Sequence, residues 1–196
     1  MHVCPWWLAY TFDNRLRRLF YSPEMVLAPY IKPGMTALDL GCGMGFFSIA
    51  MAGLVGDSGS VVAIDFQQQM LDVLMERASR GNVAHRIRPY CCSPDDIGAH
   101  APADFAIACY MLHEVPDRPR LLEQVRDALK PNAQFLLMEP KFHVTKPAFA
   151  ASLDMASAAG FVNIGAPTIS LSHTALLCRS CGFGRRADTQ DLTVHS

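Results

Sequence analysis

The chain has 196 residues, 51% of them apolar, and a formal net charge of −1. This length allows one α/β domain with a proper core and is too short for two ordinary domains. Positive and negative side chains are interspersed, so no basic surface is predicted for a nucleic-acid backbone, and a nucleic-acid partner is not expected.

We expect the protein to be soluble and cytoplasmic. The longest apolar run, residues 46–55, is far shorter than a membrane span, and the N-terminus lacks the pattern of a signal peptide. The seven cysteines are scattered and odd in number, which is typical of reduced thiols in the cytosol rather than of a disulfide framework. No membrane contact is therefore predicted, and the sequence carries no prediction of an oligomeric state.

The N-terminal segment contains both tryptophans, which are adjacent and close to Tyr10. Aromatic side chains with a polar group suit a lid that is half buried over a ligand, so Trp7 and Tyr10 are candidate lid residues. The alternative is a helix packed on the edge of the sheet. The predicted division of the chain is an N-terminal helical lid or appendage at residues 1–32, a core domain at 33–181 and a polar tail at 182–196.

Residues 37–47, ALDLGCGMGFF, predict a strand that runs into a turn with glycine at every second position. Glycine permits positive φ and has no Cβ, so such a turn brings backbone close to a nucleoside. The third glycine of the dinucleotide fingerprint G-x-G-x-x-G would fall at Phe46, whose ring favours a ligand without a diphosphate. The candidate ligand contacts in this segment are Asp39, Gly41, Cys42, Gly43 and Gly45.

A second apolar strand, residues 61–65, ends in Asp65, which follows Gly45 by 20 residues. A carboxylate at this position can accept hydrogen bonds from both hydroxyls of a ribose. The alternative is an N-cap for the helix predicted over residues 67–79, and the two roles are compatible. Phe66 and Met70 are further candidate ligand contacts, although most methionines of this helix are expected in the core.

The run LDLGCGMG at residues 38–45 resembles motif I of the class I S-adenosylmethionine-dependent methyltransferases, and the order of elements matches over about residues 24–178. The resemblance implies S-adenosylmethionine as cofactor and S-adenosylhomocysteine as product. It also implies an α/β fold, with a doubly wound Rossmann-like sheet of order 3-2-1-4-5-7-6 and an antiparallel strand 7. No Asn or Asp precedes a Pro-Pro-aromatic sequence, the motif of base-amino methylation, so a small-molecule acceptor is predicted.

The third predicted strand, residues 86–91, contains Pro89. Proline cannot donate to a sheet ladder, so this strand is expected at an edge. In the family that the sequence resembles, an acid in the next loop often contacts the adenine amino group. Ser93 aligns with that acid, so its hydroxyl or a nearby backbone carbonyl would have to serve, with Cys92 beside it as a further candidate contact.

Residues 104–110 are almost all apolar, which predicts a central parallel strand buried on both faces. Doubly wound sheets place their chemistry at the carboxyl ends of such strands, so Cys109 is a candidate cofactor contact and Tyr110 a candidate acceptor contact. Methyl transfer mainly requires alignment and exclusion of water, and a base assists when the acceptor carries a proton. His113 is the candidate base and Glu114 a second candidate. The alternative for His113 is a capping or packing residue.

The remaining elements predict the far half of the sheet. Glu139 ends the predicted fifth strand and His143 follows it. Both would add polar groups to the rim of the pocket, although a solvated loop would have the same sequence. Two successive strands without an intervening helix suggest an antiparallel hairpin at the far edge. The predicted bounds are a helix capped by Asp117 through Leu129, a turn at 130–133, strand five at 134–139, a helix at 147–159 and the hairpin strands at 161–164 and 169–178.

Two alternative functions stay open on the sequence alone. Cys178 and Cys181 have metal-ligand spacing and, with Cys4, Cys91 or Cys92, could bind a soft ion or a thiophilic acceptor such as trivalent arsenic. A single C-x-x-C without a second pair is weak, and no metal is predicted. The other alternative is a protein of the same fold that binds a nucleoside or a partner without catalysis.

Overall fold

The computed structural model describes residues 21–93, 96–98 and 102–180. In that part of the chain, helices lie on both faces of a seven-stranded sheet. The helices are α1 Pro23–Leu27, α2 Phe46–Val55, α3 Gln68–Arg80, α4 Arg118–Asp127 and α5 Lys146–Ala158. The strands are β1 Thr36–Leu40, β2 Ser60–Asp65, β3 Ile87–Cys91, β4 Ala103–Cys109, β5 Leu129–Pro140, β6 Phe161–Gly165 and β7 Ser172–Arg179.

The strand order is β3-β2-β1-β4-β5-β7-β6, which confirms the predicted sheet. The first five strands pair in parallel, whereas β7 is antiparallel to both β5 and β6. Pro89 lies in the edge strand β3, as predicted. The chain winds away from β1 in both directions, and a ligand of such a sheet binds beyond the carboxyl ends of β1 and β4, where the winding reverses.

The core consists of two apolar layers, one on each face of the sheet. Alternation along β1 sends Leu38 and Leu40 to one layer and Ala37 to the other. The buried residues of α3 recur at helical spacing and pack in the second layer around Leu71 and Leu74. The central strand β4 is buried along most of its length, which confirms its predicted position.

The sequence misplaced the boundary between α4 and β5. The helix ends at Asp127, and the fully buried Leu129 pairs with Ala103 in the sheet instead of extending the helix. The predicted turn at 130–133 is an irregularity within β5, where the pairing register shifts and Asn132 has a φ of 62°. Burial of Leu129 against the sheet accounts for the difference.

The last strand also begins later than predicted, at Ser172 instead of residue 169. Leu171 has a φ of 61°, and this left-handed residue interrupts the extended chain between Ile169 and the strand. Earlier in the chain, Gly53 is an interior residue of α2, which ends at Val55 with Gly56 as its C-cap.

Residues 21–32, the described part of the predicted N-terminal appendage, pack on the core. Leu27 and Ile31 are buried in the second layer, and the ring of Tyr30 stacks on Phe105 of β4 at a centroid distance of 5.7 Å. Trp7 and Tyr10, with the rest of the predicted lid and the tail at 182–196, lie outside the described residues, so their roles stay predictions. Of the helices that the structure describes, none is long and apolar enough to cross a bilayer.

Candidate functional site

The three glycines after β1 all have positive φ, but their surroundings differ. A Cβ on Gly41 would lie 2.8 Å from the Cβ of Met111, and a Cβ on Gly45 would lie 2.8 Å from Cγ of Leu74. A Cβ on Gly43 would meet no atom within 4 Å in the described part of the chain, its two sequence neighbours aside. Packing therefore explains the glycines at 41 and 45, whereas Gly43 borders open space at the end of β1.

Asp65 lies beside this open space, at the carboxyl end of β2. Its carboxylate accepts hydrogen bonds from the backbone amides of Gly43, at 2.9 Å, and of Gln67, at 3.0 Å. The residue is 7% exposed, and this burial raises the pKa of its carboxyl group, while the backbone hydrogen bonds oppose the shift. Because a carboxylate accepts about four hydrogen bonds, acceptor capacity remains for a ligand.

Asp65 does not cap α3 in the way that the sequence suggested. The N-cap position is occupied by Gln67, and no side-chain hydrogen bond caps the helix. Asp65 instead holds the backbone amide of that N-cap residue, two positions further along the chain. Its two oxygens thus link the glycine turn to the start of α3.

The Asp39 carboxylate is 2% exposed and accepts a hydrogen bond of 2.5 Å from the hydroxyl of Ser48. Ser48 is fully buried in the first turn of α2. This contact ties β1 to α2 across the glycine turn, so the structure shows a supporting position for Asp39. Its predicted contact with a cofactor stays a prediction.

The other candidate cofactor residues surround the ends of β2, β3 and β4. The backbone amide of Cys92 donates to the carbonyl of Asp65, which brings the loop after β3 to the end of β2. Phe66 is 41% exposed, whereas Met70 is buried in α3. The three remaining candidates are the half-buried Cys109, the buried Cys42 and the exposed Ser93.

Two of these thiols are held in their neutral form. Burial and the negative charges of Asp39 and Asp65 raise the pKa of the Cys42 thiol well above its ordinary value. Burial and Asp65 raise the pKa of Cys92 to about 11. Neither thiol is therefore ionised near neutral pH, which disfavours a role as a nucleophile or a metal ligand.

His113 makes two contacts with Glu139, the residue before the last in β5. The Nδ1 atom of His113 lies 2.5 Å from one carboxylate oxygen of Glu139, and its backbone amide donates to the other oxygen at 3.2 Å. The Glu139 side chain is 1% exposed, and that of His113 is 16% exposed. A buried carboxylate thus fixes both the backbone and the ring of the predicted base.

Other polar side chains complete the surroundings of His113. Its Nε2 atom is 4.0 Å from a carboxylate oxygen of Glu114, and its ring centroid is 4.9 Å from that of the exposed His143. Arg118 donates to the His113 carbonyl at 3.2 Å. The structure therefore brings together the predicted rim residues of the strands β4 and β5.

Tyr110, the first residue after β4, has a φ of 60°, which is a strained conformation for a residue other than glycine. Its backbone amide donates to the carbonyl of Met138, and its hydroxyl lies 2.6 Å from that of Ser172. The Ser172 hydroxyl donates to the carbonyl of Ser170, so the tyrosine hydroxyl donates to Ser172. Tyr110 is therefore anchored to the neighbouring strand β5 and to β7, the next strand beyond it.

Sequence reasoning missed two of these partnerships. The sequence predicts Glu139 on the rim but not as the partner of His113, and the available signal is a carboxylate at the end of an apolar strand. The contact of Ser48 cannot be predicted, because a serine in an apolar helix gives no sign of what it contacts.

The cysteines do not form a metal centre in the residues that the structure describes. Their five cysteines, Cys178 included, form no disulfide, and no group of three or more metal-ligating side chains is present in those residues. Cys4 and Cys181 lie outside the described ranges. The thiophilic alternative thus has no support from the described part of the chain.

A glycine turn after β1, a carboxylate at the end of β2 and this strand order define the fold of the class I S-adenosylmethionine-dependent methyltransferases. A family model described as a methyltransferase domain matches residues 31–165. The chain therefore belongs to the methyltransferase domain family, which confirms the resemblance found in the sequence.

Two curated relatives methylate quinone-type compounds, according to their names. The chain is 34% identical over 117 residues to a 2-phytyl-1,4-naphtoquinone methyltransferase of Trichormus variabilis, covering 57% of this chain and 48% of that protein. It is 32% identical over 132 residues to a demethylmenaquinone methyltransferase of Lactobacillus johnsonii, covering 65% of this chain and 50% of the relative. The chain thus spans about half the length of these relatives.

A solved structure with the same fold is a SAM-dependent methyltransferase from Aquifex aeolicus. The TM-score is 0.78 at 22% sequence identity, and the match covers 90% of this chain and 98% of the other. At this identity the comparison shows the fold alone.

The site fits the cofactor of this family. Gly43 leaves open the space that a Cβ would occupy, the adjacent Asp65 carboxylate retains acceptor capacity, and the ring of Phe66 is exposed next to it. A ribose offers two hydroxyl donors to such a carboxylate, and an adenine offers a face to an aromatic ring.

Proposed function

We propose that the protein transfers a methyl group from S-adenosylmethionine to a small quinone-type acceptor in its reduced, hydroxyl-bearing form. The observation that carries the proposal is the open space at Gly43 beside the Asp65 carboxylate. The quinone-type acceptor rests on the names of the two curated relatives, and the polar pair at His113 supports an acceptor that carries a hydroxyl proton.

In this proposal, residues at the ends of β1, β2 and β3 hold the cofactor. Asp65 accepts the ribose hydroxyls, the backbone at Gly43 approaches the methionine portion, and Phe66 contacts the adenine. The exposed Ser93 lies in the loop that would reach the adenine amino group. When bound, the cofactor supplies an electrophilic methyl group and leaves as S-adenosylhomocysteine.

The ends of β4 and β5 then serve the acceptor. Tyr110 and His143 line its side of the site, and His113 takes the proton of its hydroxyl through a ring nitrogen. Removal of that proton places negative charge on the acceptor, which makes its oxygen, or a conjugated ring carbon, a stronger nucleophile. A carboxylate oxygen of Glu114 lies 4.0 Å from the Nε2 atom of His113, close enough to interact electrostatically with the imidazolium that forms.

The first test is calorimetry with S-adenosylmethionine and S-adenosylhomocysteine. We expect micromolar binding of both, and a loss of at least about tenfold in Asp65→Ala, because the carboxylate that holds the ribose is removed. Asp57→Ala is the control, since this aspartate is exposed and pairs with His85 and Arg86. If the wild-type protein binds neither compound, the proposed function is wrong, and the alternative of a partner-binding protein of the same fold is supported.

The second test identifies the acceptor with a radiolabelled methyl donor. The panel contains a reduced naphthoquinone, its oxidised form, a catechol and arsenite. Methylation of the reduced naphthoquinone but not of the oxidised form is the expected result, because only the reduced form has a hydroxyl proton for His113. Methylation of arsenite alone would instead support the thiophilic alternative.

A further inference from the structure

Glu139 is a buried carboxylate whose two oxygens both face one residue, His113. One oxygen is 2.5 Å from Nδ1 of His113, and the other accepts the backbone amide of the same residue at 3.2 Å. A charged carboxylate costs several kcal/mol to bury unless it is paired and hydrogen-bonded. The pairing with His113 is therefore what allows Glu139 to occupy the end of β5.

These two contacts determine which ring nitrogen of a neutral His113 carries the proton. An ionised carboxylate only accepts hydrogen bonds, so the ring nitrogen that faces it must be the donor. That nitrogen is Nδ1, which leaves the lone pair of the neutral ring on Nε2. Glu139 faces Nδ1 and not Nε2, and the carboxylate oxygen of Glu114 lies 4.0 Å from Nε2, beyond hydrogen-bond distance.

We propose that Glu139 is a positioning residue that locks His113 in the Nδ1-protonated tautomer, so that Nε2 is the base for the acceptor hydroxyl. The tautomer is inferred from the described contacts alone, whereas the role of Nε2 as a base rests on the proposed function. It also narrows the acceptor to compounds with a hydroxyl that can reach Nε2, such as a phenol or a reduced quinone.

The proton transfer is balanced at the two atoms. The O–H bond of the acceptor breaks and its electron pair stays on the oxygen, while the lone pair of Nε2 forms the new N–H bond. The ring is then an imidazolium whose Nδ1–H remains bonded to Glu139, and this charge pair stabilises the product of the transfer. Release of the Nε2 proton to solvent restores the neutral ring.

The groups that face His113 indicate that Glu139, and not Glu114, selects its tautomer. A carboxylate oxygen of Glu114 lies 4.0 Å from Nε2 and interacts with the ring only through its charge, and the ring of His143 lies at a centroid distance of 4.9 Å. Arg118 donates only to the backbone carbonyl. Of the contacts described for the ring nitrogens, only the one to Glu139 is short enough to select a tautomer.

Glu139→Gln gives a distinctive test because an amide has one acceptor and one donor end. The amide oxygen is required by the backbone N–H of His113, so the NH₂ group faces Nδ1. Nδ1 must then accept, and the proton of the neutral ring moves to Nε2, where it blocks the lone pair. The substitution therefore inverts the tautomer while it changes the volume of the side chain very little.

Nitrogen-15 NMR of the histidines reads the tautomer in the resting protein, without cofactor or acceptor. We expect the Nδ1–H form in the wild type, the Nε2–H form in Glu139→Gln, and the wild-type pattern in the control Glu76→Gln, whose exposed carboxylate pairs with Arg80 on α3. Activity should fall about 100-fold in kcat for Glu139→Gln, with the KM for S-adenosylmethionine within about twofold. The control should stay within a few-fold of the wild type.

The two proposals fail in different ways. An Nε2–H tautomer in the wild type, with methyl transfer intact, overturns the assignment to Glu139 and leaves the proposed function standing. Absence of cofactor binding by a folded wild-type protein overturns the proposed function. If Glu139→Gln does not fold, the wild-type spectrum still decides the tautomer, and His113→Gln measures the loss of the base.

Discussion

Replacing Gly43 with alanine distinguishes a cofactor cradle from a turn that merely needs to be tight. Apart from its two sequence neighbours, the added methyl group would meet no atom of residues 21–93, 96–98 and 102–180 within 4 Å, so the expected strain is in the backbone, through its φ of 51°. For an L-residue, the left-handed conformation costs about 1–2 kcal/mol. We therefore expect a stable variant with a melting temperature lowered by about 2–8 °C.

Two other alanine substitutions separate backbone strain from packing and from binding. Gly34 has a φ of 86°, and a Cβ at this position would lie at an ordinary contact distance of 3.5 Å from the Ser58 hydroxyl. Gly34 precedes β1, so it lies at the opposite end of that strand from the glycine turn. Gly45 has nearly the same φ, 87°, but its Cβ would lie 2.8 Å from Cγ of the buried Leu74. Gly45→Ala should therefore lose about 1–3 kcal/mol more than Gly34→Ala.

Calorimetry with S-adenosylhomocysteine then gives the decisive comparison. If the cofactor lies against the backbone of Gly43, the extra methyl group of Gly43→Ala should weaken binding at least tenfold, equivalent to about 1.4 kcal/mol. Gly34→Ala should bind as the wild type does. Equal affinities for the two variants, both of them folded, would refute the assignment of the open space at Gly43 to the cofactor.

Two further predictions concern the buried carboxylates. Burial raises the pKa of the Asp65 carboxyl in the folded protein, so the folded state is stabilised when this carboxyl is protonated. That stabilisation is complete below the ordinary carboxyl pKa and is lost as pH rises through the raised pKa. In denaturant titrations, the free energy of unfolding of the wild type relative to Asp65→Asn should therefore decline with increasing pH. Cofactor affinity should show the opposite trend and weaken as pH falls through that range, because the ribose hydroxyls need the ionised carboxylate; pH-independent affinity would contradict this role. Ser48→Ala should lower the free energy of unfolding by about 2 kcal/mol, because the Asp39 carboxylate loses its hydrogen bond from the Ser48 hydroxyl. The control Ser152→Ala removes only a hydrogen bond to the carbonyl of Ala148 in the same helix, so it should change the free energy of unfolding little. Equal losses in the two serine variants would show that the contact with Asp39 adds nothing.

Much of the fold could be predicted because the relevant signals are local. Alternating and continuous apolar runs mark the strands, and Pro89 marks the edge strand without any knowledge of its neighbours. The glycine turn and Asp65 could be identified from spacing, since both follow directly after short strands. The errors fell where tertiary burial overrides local pattern, as at Leu129, which continues the helical periodicity of α4 but pairs in the sheet.

The candidate site was predictable as a set of residues but not as a set of contacts. Parallel strands bring their carboxyl ends to one edge, so Tyr110, His113 and His143 could be expected near each other. That His113 faces Glu139, 26 positions away in the chain, depends on the angle of the short turn Leu112–Glu114 and on the exact end of β5. Sequence spacing contains no information on either.

The sequence by itself determined the class of fold, the glycine turn and the carboxylate beside it, because backbone conformation and strand burial are set by residues a few positions apart. Only the tertiary structure decided which of the turn glycines borders open space and which polar groups are paired. Those properties depend on atoms from distant segments meeting within a few ångströms, as Gly45 meets Leu74 and His113 meets Glu139.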